Sequence, residues 1–308
     1  MRPVFPAPPR HRPGFTVART RRALDRFRGD LAEGGFSLSL VPTMGGLHEG
    51  HLCLLDLARS HADIAAASIF VNPLQFGPGE DLEHYPRQAE NDVLLLQRRG
   101  AGVVFVPGDA EIYPDGIPHV QIDPGPLAAR LCGAHRPGHF RGVLTVVAKL
   151  FGIVQPDVAV FGRKDLQQAV LIRRMVHDLN LPVEIVTGPL VREADGLAMS
   201  SRNAYLSSDT RSRAPVIFRA LSEADRCFRE GKGAAGALLD AAREVLSGTP
   251  AFDLQYLELV DPDSLSPLDR AVEGSVVAVA GILDGTRLID NLVLGAERPD
   301  PRVEDEPA

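Results

Sequence analysis

Over residues 15–191, bursts of apolar residues alternate with longer amphipathic stretches. Residues 36–41 (FSLSLV) read as a buried strand, 52–60 as the body of a helix, and 64–71 (IAAASIFV) as a second strand. A helix over 90–100, closed by Gly100, precedes a third strand at 103–106. Helices over 143–151 and 166–179 then alternate with short strands at 158–161 and 183–186. This alternation predicts a Rossmann-like α/β unit, a parallel sheet with helices on both faces. Such sheets bind ligands beyond the carboxyl ends of their strands, so chemistry is expected in the loops that follow strands.

After Arg192 the pattern changes. Residues 210–231 and 234–246 read as helices and 252–260 as a strand. Strands at 275–283 and 287–294 flank Asp284-Gly285, a hairpin signal whose loop length Thr286 leaves open. Residues 15–191 and 192–295 are therefore expected to form two domains, the second a smaller α+β unit. The ends, 1–14 and 296–308, are rich in Pro and charge, and disorder is expected there.

Composition narrows the function classes. With 308 residues, 44% hydrophobic and 24% charged, the chain is too apolar for a disordered protein. No apolar run reaches the roughly 18 residues of a membrane span, and no secretory leader pattern opens the chain. A cytoplasmic location is the expectation. The net charge of −7 argues against nucleic acid or an anionic membrane as partner. Residues 130–174, however, hold eight basic and two acidic side chains, a local +6 that suggests an anion site. Cys53, Cys132 and Cys227 are odd in number and widely spaced, which fits neither a disulfide framework nor a Cys-rich zinc site.

Two loops stand out. In residues 42–51 (PTMGGLHEGH), Gly45, Gly46 and Gly50 allow tight turning and close approach to a ligand. A helix expected to begin near His51 would point its free N–H groups at that ligand. His48 and His51 can both reach the same space, where imidazoles could donate to phosphate oxygens. The loop is neither a Walker A loop nor a GxGxxG fingerprint, and HEGH lacks the His spacing of a zinc-protease helix. In residues 199–203 (MSSRN), two hydroxyls and a guanidinium suit a polyanion, although either serine could simply cap a helix.

Together the HEGH-type loop and the MSSR loop resemble the paired signatures of HIGH-type nucleotidyltransferases. Three further segments narrow the match: 68–76 (SIFVNPLQF), 136–143 (RPGHFRGV) and 161–168 (FGRKDLQQ). In this order the five look like the pantothenate synthetase (pantoate–β-alanine ligase) family, from about residue 37 to 206 and more loosely to 294. The resemblance implies that ATP and pantoate form a pantoyl adenylate, releasing pyrophosphate, and that β-alanine then displaces AMP. It implies ATP contacts at Met44, Gly45, Gly46, Leu47, His48, Glu49, Gly50 and His51. Gly162, Arg163, Lys164, Asp165, Val191, Met199, Ser200, Ser201 and Arg202 correspond to further ATP contacts. His51 corresponds to the catalytic proton donor, with His48 and Lys164 beside it. Gln75 and Gln168 correspond to the pantoate pair, and Gln75 also to a β-alanine contact. Mg²⁺ is expected on the ATP phosphates, with no dedicated protein metal site, and a homodimer is expected.

The local +6 spans two of these motifs and is expected to face ATP and a carboxylate. In a chain with thirty arginines, the lysine at 164 hints that a compact ammonium is wanted against phosphate. Asn72 either supports the site or caps the turn before Pro73, while His61, His84 and His177 read as surface residues. Three positions depart from the family pattern. Gly46 replaces a commoner Ala and should loosen its loop; Leu166 replaces an aromatic and Cys132 an occasional Glu. The MSSR loop lies where the two units join, so the second is expected to close as a lid. Alternatives are another nucleotidyltransferase of this fold, or a catalytically silent ATP-binding module.

Overall fold

A computed structural model describes residues 13–296. The extensions expected to be disordered lie outside the described residues, apart from positions 13, 14 and 296. The chain begins with β1 (Thr16–Ala18), α1 (Arg21–Gly34), β2 (Leu38–Thr43), α2 (Glu49–His61) and β3 (Ile64–Ile69). It continues through α3 (Ala89–Arg98), β4 (Val103–Phe105), short α4 (Asp109–Ile112) and α5 (Leu131–His135), then α6 (His139–Val154). β5 (Val158–Gly162), α7 (Leu166–Asp178) and β6 (Glu184–Gly188) complete the first unit. α8 (Ser208–Arg213), α9 (Val216–Arg229), α10 (Ala235–Ser247), β7 (Phe252–Val260), β8 (Val276–Leu283) and β9 (Thr286–Val293) follow.

The first six strands form one parallel sheet in the order β1-β4-β3-β2-β5-β6. β3 is buried at every position, its run of alanines leaving room for helices on both faces. Alternate residues serve opposite faces: Leu40, Ile64 and Ala66 pack with α1, α6 and α7, while Val41, Ala65 and Ala67 pack with α2 and α3. The strand order reverses between β2 and β5. These two pair only at Ser39↔Val158 and Leu40↔Ala159 and then separate, whereas β2 stays paired with β3 as far as Thr43↔Ile69. A crevice therefore opens beyond these pairs, at the carboxyl ends of β2 and β5, the switch point where parallel sheets bind ligands.

Four elements went unread in the sequence: β1, α1 and the short helices α4 and α5. β1 is a three-residue edge strand. α1 buries Leu24, Phe27 and Leu31 at helical spacing, with Thr20 accepting from the Ala23 N–H and Gly35 closing the helix at φ 63°. Another element divides: the helix expected over 210–231 breaks between α8 and α9, because Pro215 has no N–H to continue the ladder. In the second unit, the antiparallel sheet β7-β8-β9 packs with α9 and α10 around its own core, which includes Leu221, Leu238, Val277 and Leu283. Leu283 pairs with Thr286, so the hairpin loop is the two residues Asp284 and Gly285, both at positive φ.

The start of α6 presses against the turn Pro73–Gln75. A Cβ on Gly142 would stand 2.1 Å from the Leu74 carbonyl oxygen, so only glycine admits this contact. Substituting Gly142→Ala is expected to cost about 1–3 kcal/mol, as overpacking against backbone does. Urea unfolding measures it, and a midpoint equal to that of the unaltered protein would contradict this account of the contact.

Candidate active site

The crevice holds a cavity of about 210 Å³. It is lined from β2 and its loop by Pro42, Thr43, Met44, His48, Gly50 and His51. From β5 and beyond come Gly162, Lys164, Asp165 and Gln168, and from the later loop Val191, Met199, Ser200, Ser201 and Arg202. A wider cleft of about 1160 Å³ shares Arg136, His139, Lys164, Asp165, Gln168, Ser200 and Arg202, and reaches β7 and β9.

The glycine loop is held from behind. Thr43 Oγ1 donates to the Ser68 carbonyl, and the N–H groups of Gly46 and Leu47 donate to the two oxygens of buried Asp92. Helix α2 begins at Glu49, two residues earlier than expected, with His48 as its N-cap. The His48 N–H donates to His51 Nδ1 at 3.4 Å, so the proton of neutral His51 sits on Nε2. The two rings lie 4.1 Å apart between centroids. Burial, then the Lys164 charge, pushes His48 down to about 4, and burial with the His48 neighbour pushes His51 down to about 3. Both are neutral near pH 7, and act as hydrogen-bond donors rather than imidazolium acids.

Gln75 is fixed on the floor of the crevice. Asn72 is 1% exposed, and its Nδ2 donates to Gln75 Oε1 at 3.1 Å and to the Gly142 carbonyl. Asn72 Oδ1 accepts from the Leu74 N–H and the Tyr113 hydroxyl. Asn72 thus both caps the turn and aims the glutamine. The amide of Gln75 then donates from Nε2 toward Met44 Sδ. His139 supports the same residue: Arg136 donates to its Nε2, so its Nδ1–H donates to the Gln75 carbonyl at 2.8 Å. Burial, then the Arg136 charge, lowers His139 to about 4. Arg136 itself is paired with Glu80 through two hydrogen bonds.

The opposite wall is tied to the second sheet. Asn291 on β9 donates to the carbonyls of Arg163 and Lys164, fixing the turn that presents the Lys164 ammonium. Its neighbour Asp290, with a side chain 0% exposed, forms a two-pronged pair with Arg192, which also lies 4.2 Å over the Phe218 ring. Ser201 Oγ donates to the Gly46 carbonyl, and Ser200 caps the turn Ser201–Tyr205. Arg202 makes a bidentate pair with Asp81 at 2.8 Å.

The model of the family described as Pantoate-beta-alanine ligase matches residues 16–293. This chain belongs to the pantoate–β-alanine ligase family. It is 52% identical over 279 residues to pantothenate synthetase 1 of Bradyrhizobium diazoefficiens, covering 90% of this chain and 96% of that one. The crystal structure of pantothenate synthetase from Thermus thermophilus superposes with a TM-score of 0.85 at 48% identity, covering 91% and 99% of the two chains. The pantoate-beta-alanine ligase of Francisella tularensis, solved in complex with beta-gamma ATP and β-alanine, gives 0.76 at 32% identity, covering 91% and 98%.

Within this ligase-family fold, most residues assigned from sequence converge, but not all. Met44, His48, Gly50, His51, Gln75, Gly162, Lys164, Asp165, Gln168, Val191 and residues 199–202 border the crevice. Gly45, Gly46 and Leu47 do not line it: Leu47 packs into the core and two of the loop's N–H groups go to Asp92. Glu49 turns outward to Arg99, and Arg163 contributes its carbonyl to Asn291. Gly46 does not leave the loop loose. It sits at φ 63° with its N–H held by Asp92 and its carbonyl by Ser201. Leu166 lines the wide cleft, and Cys132 is buried against the Tyr256 hydroxyl. His61, His84 and His177 are exposed, as expected.

The local +6 is mostly spent elsewhere. Arg130, Arg141, Arg173 and Arg174 pair with Glu258, Asp123, Asp263 and Asp178, leaving Arg136 and Lys164 as its contributions to the crevice. The sequence reading overlooked Asp92, Arg136, His139 and Asn291. For Arg136 and His139 a signal existed, since both belong to the RPGHFRG motif.

The three depressed imidazoles link stability to pH. Each binds its proton in the unfolded chain below about 6.5 but resists it in the fold until about 4 or lower, so their contribution is present above 6.5 and lost as pH falls. Glu80, where the Arg136 hydrogen bond and charge outweigh burial, is lowered to about 2 and acts only below its ordinary range. Between pH 6.5 and 4.5 the unfolding free energy is expected to drop by on the order of 1 kcal/mol per imidazole. Urea titrations at pH 7 and 5 measure this, and His139→Gln should flatten the slope by one imidazole's share.

Proposed function

We propose that this chain ligates pantoate and β-alanine to pantothenate at the expense of ATP, through a pantoyl adenylate. The observation that carries this reading is the meeting of phosphate-suited donors (His48, His51, Lys164, Ser200 and Arg202) with Gln75 and Gln168 around one crevice. The family membership and the substrates named for the Francisella relative support it.

A carboxylate accepts an amine only after its oxygen becomes a good leaving group. In the first step a pantoate carboxylate oxygen bonds the α-phosphorus of ATP while the bridge to pyrophosphate breaks. In the second, the uncharged amine of β-alanine bonds the acyl carbon, AMP leaves, and the amine proton passes to solvent. The first step brings an anion onto a polyanion, so charge neutralisation and in-line placement are what the protein must supply. Lys164 supplies fixed positive charge. Neutral His51 donates from Nε2 to a phosphate oxygen, gaining strength as charge builds there. Gln75, whose Oε1 is already engaged by Asn72, offers Nε2 to pantoate, and Gln168 faces it from α7. An amide suits a hydroxy acid because it can donate to a carboxylate and exchange hydrogen bonds with a hydroxyl.

Mg²⁺ belongs to the same reading. The wall carboxylates Asp81 and Asp165 face Arg202 and Lys164, and no group of three or more metal-ligating side chains occurs among the described residues. With Asp81 and Asp165 paired to cations, Mg²⁺ would be held through the ATP phosphates, where it would supply charge neutralisation. We read residues 15–191 as the ATP- and pantoate-binding domain and 192–295 as its lid, a division supported by their separate cores. A homodimer and a cytoplasmic location complete the proposal on family grounds; no helix among the described residues is long and apolar enough to cross a membrane.

Pyrophosphate–ATP exchange that requires pantoate, with AMP release that further requires β-alanine, is the expected behaviour. His51→Ala should lower the exchange rate about 100-fold or more while circular dichroism stays unchanged. Exchange independent of pantoate would sink the ligation reading. A stable nucleotide product would favour another nucleotidyltransferase, and unaltered ATP a silent module.

A further inference from the structure

Asp92 lies in the first turn of α3 and is 1% exposed. A carboxylate withdrawn from water must have its oxygens satisfied. Here the glycine loop, some 45 residues away in sequence, does so. Gly46 N–H donates to Oδ2 and Leu47 N–H to Oδ1, both at 2.9 Å. The approach requires glycine before them: a Cβ on Gly45, at φ 87°, would stand 3.0 Å from Asp92 Oδ2 and 3.2 Å from Ile69 Cγ2. Asp92 does not border the crevice that holds the histidines. It faces a different cavity, of about 310 Å³, together with Arg87 and Asp109.

The residue after Leu47 is His48, the N-cap of α2, whose own N–H donates to His51 Nδ1. A continuous path of hydrogen bonds and peptide units therefore runs from the Asp92 carboxylate to both imidazoles. From the far side Ser201 closes the same loop through the Gly46 carbonyl. Residues 46 and 47 are held from both sides, and their two N–H groups are committed to a carboxylate instead of a ligand phosphate. The donors this loop still presents to the crevice are the side chains of His48 and His51 and the start of α2 at Gly50.

We propose that Asp92 is a positioning residue of the ligase reaction: it clamps the glycine loop so that His48 and His51 meet the ATP phosphates, without touching substrate itself. The proposal rests on the reading of those two histidines as phosphate-facing donors. Pantoate, expected at Gln75 and Gln168, is held by other elements. Loosening the clamp should therefore slow the chemical step and leave pantoate binding nearly intact.

The test is Asp92→Asn, a substitution of the same shape. One of the two N–H groups then faces an NH₂ instead of an oxygen. In pantoate-dependent pyrophosphate–ATP exchange, kcat should fall about ten- to hundred-fold, as small misplacements of catalytic groups do, with the KM for pantoate changed less than about twofold. Combined with His48→Gln, the losses should not multiply, because both act through one group. A kcat within about twofold of the unaltered enzyme, or losses that multiply, would overturn the proposal. Amide hydrogen exchange in the unaltered protein tests it without a variant. Gly46 and Leu47 should be strongly protected both before and after addition of ATP and pantoate, and exchange at the rate of exposed amides would overturn it. Absence of pantoate-dependent exchange in the unaltered enzyme would instead overturn the ligation reading alone.

Discussion

The separation of β2 from β5 is the constraint on which the rest of the site depends. After two paired positions the strands part, because the connections from β2 and β5 run to opposite sides of the sheet. Each strand keeps its outer partner to the end, β2 with β3 and β5 with β6, but the two edges that face each other across the gap no longer pair. Loops that reach the gap are tied from behind. The glycine loop hangs on Asp92, the Pro73–Gln75 turn on Asn72 and Gly142, and the Lys164 turn on Asn291. Three of the loops that border the crevice are thus anchored on the side away from it.

The same anchoring settles the electrostatics. On the proposed reading, an acidic protein that takes up ATP needs local positive charge, yet most arginines in the basic segment point outward into surface pairs. The two arginines within the crevice, Arg136 and Arg202, carry carboxylate partners in Glu80 and Asp81. The histidines are neutral, since their burial outweighs what the nearby acids offer. Lys164 is the least committed cation on the wall: its ion pair with half-exposed Asp165 spans 3.8 Å. Against a net charge of −7, the crevice offers a single loosely paired ammonium and several neutral donors, which on the proposed reading receive an anion.

Much of this was legible because local chemistry and fold agreed. Strands with apolar bursts, helices with apolar periods and glycine-rich turns after strands all fell where the sheet required them. The RKD turn and the MSSR loop were given roles only through the order of five motifs, since their residue types alone left a capping role open. What escaped was of two kinds. Helix α1 carried a readable signal, Thr20 before an apolar 24/27/31 spacing and Gly35 after it, but its many arginines masked the pattern. Asp92 and Asn291 carried none. An aspartate in a helix's first turn reads as a dipole partner, and an asparagine in a strand as an edge or turn residue. Their roles exist only once loops distant in sequence arrive beside them.

That distinction explains why the second unit is more than a cover. Asp290 and Asn291 are adjacent on β9, so their side chains leave opposite faces of the strand. One holds Arg192 at the exit from the first unit, and the other holds the carbonyls of the Lys164 turn. Asp290 is raised by burial even beside Arg192, so the pair costs desolvation that a merely packing contact would avoid. A strand that spends a buried amide on the Lys164 turn and a buried carboxylate on Arg192, where the two units join, fixes where both stand. Lys164 is thus positioned jointly by the sheet that carries its strand and by the sheet that follows it in sequence. Any opening of the second unit must pass through that joint.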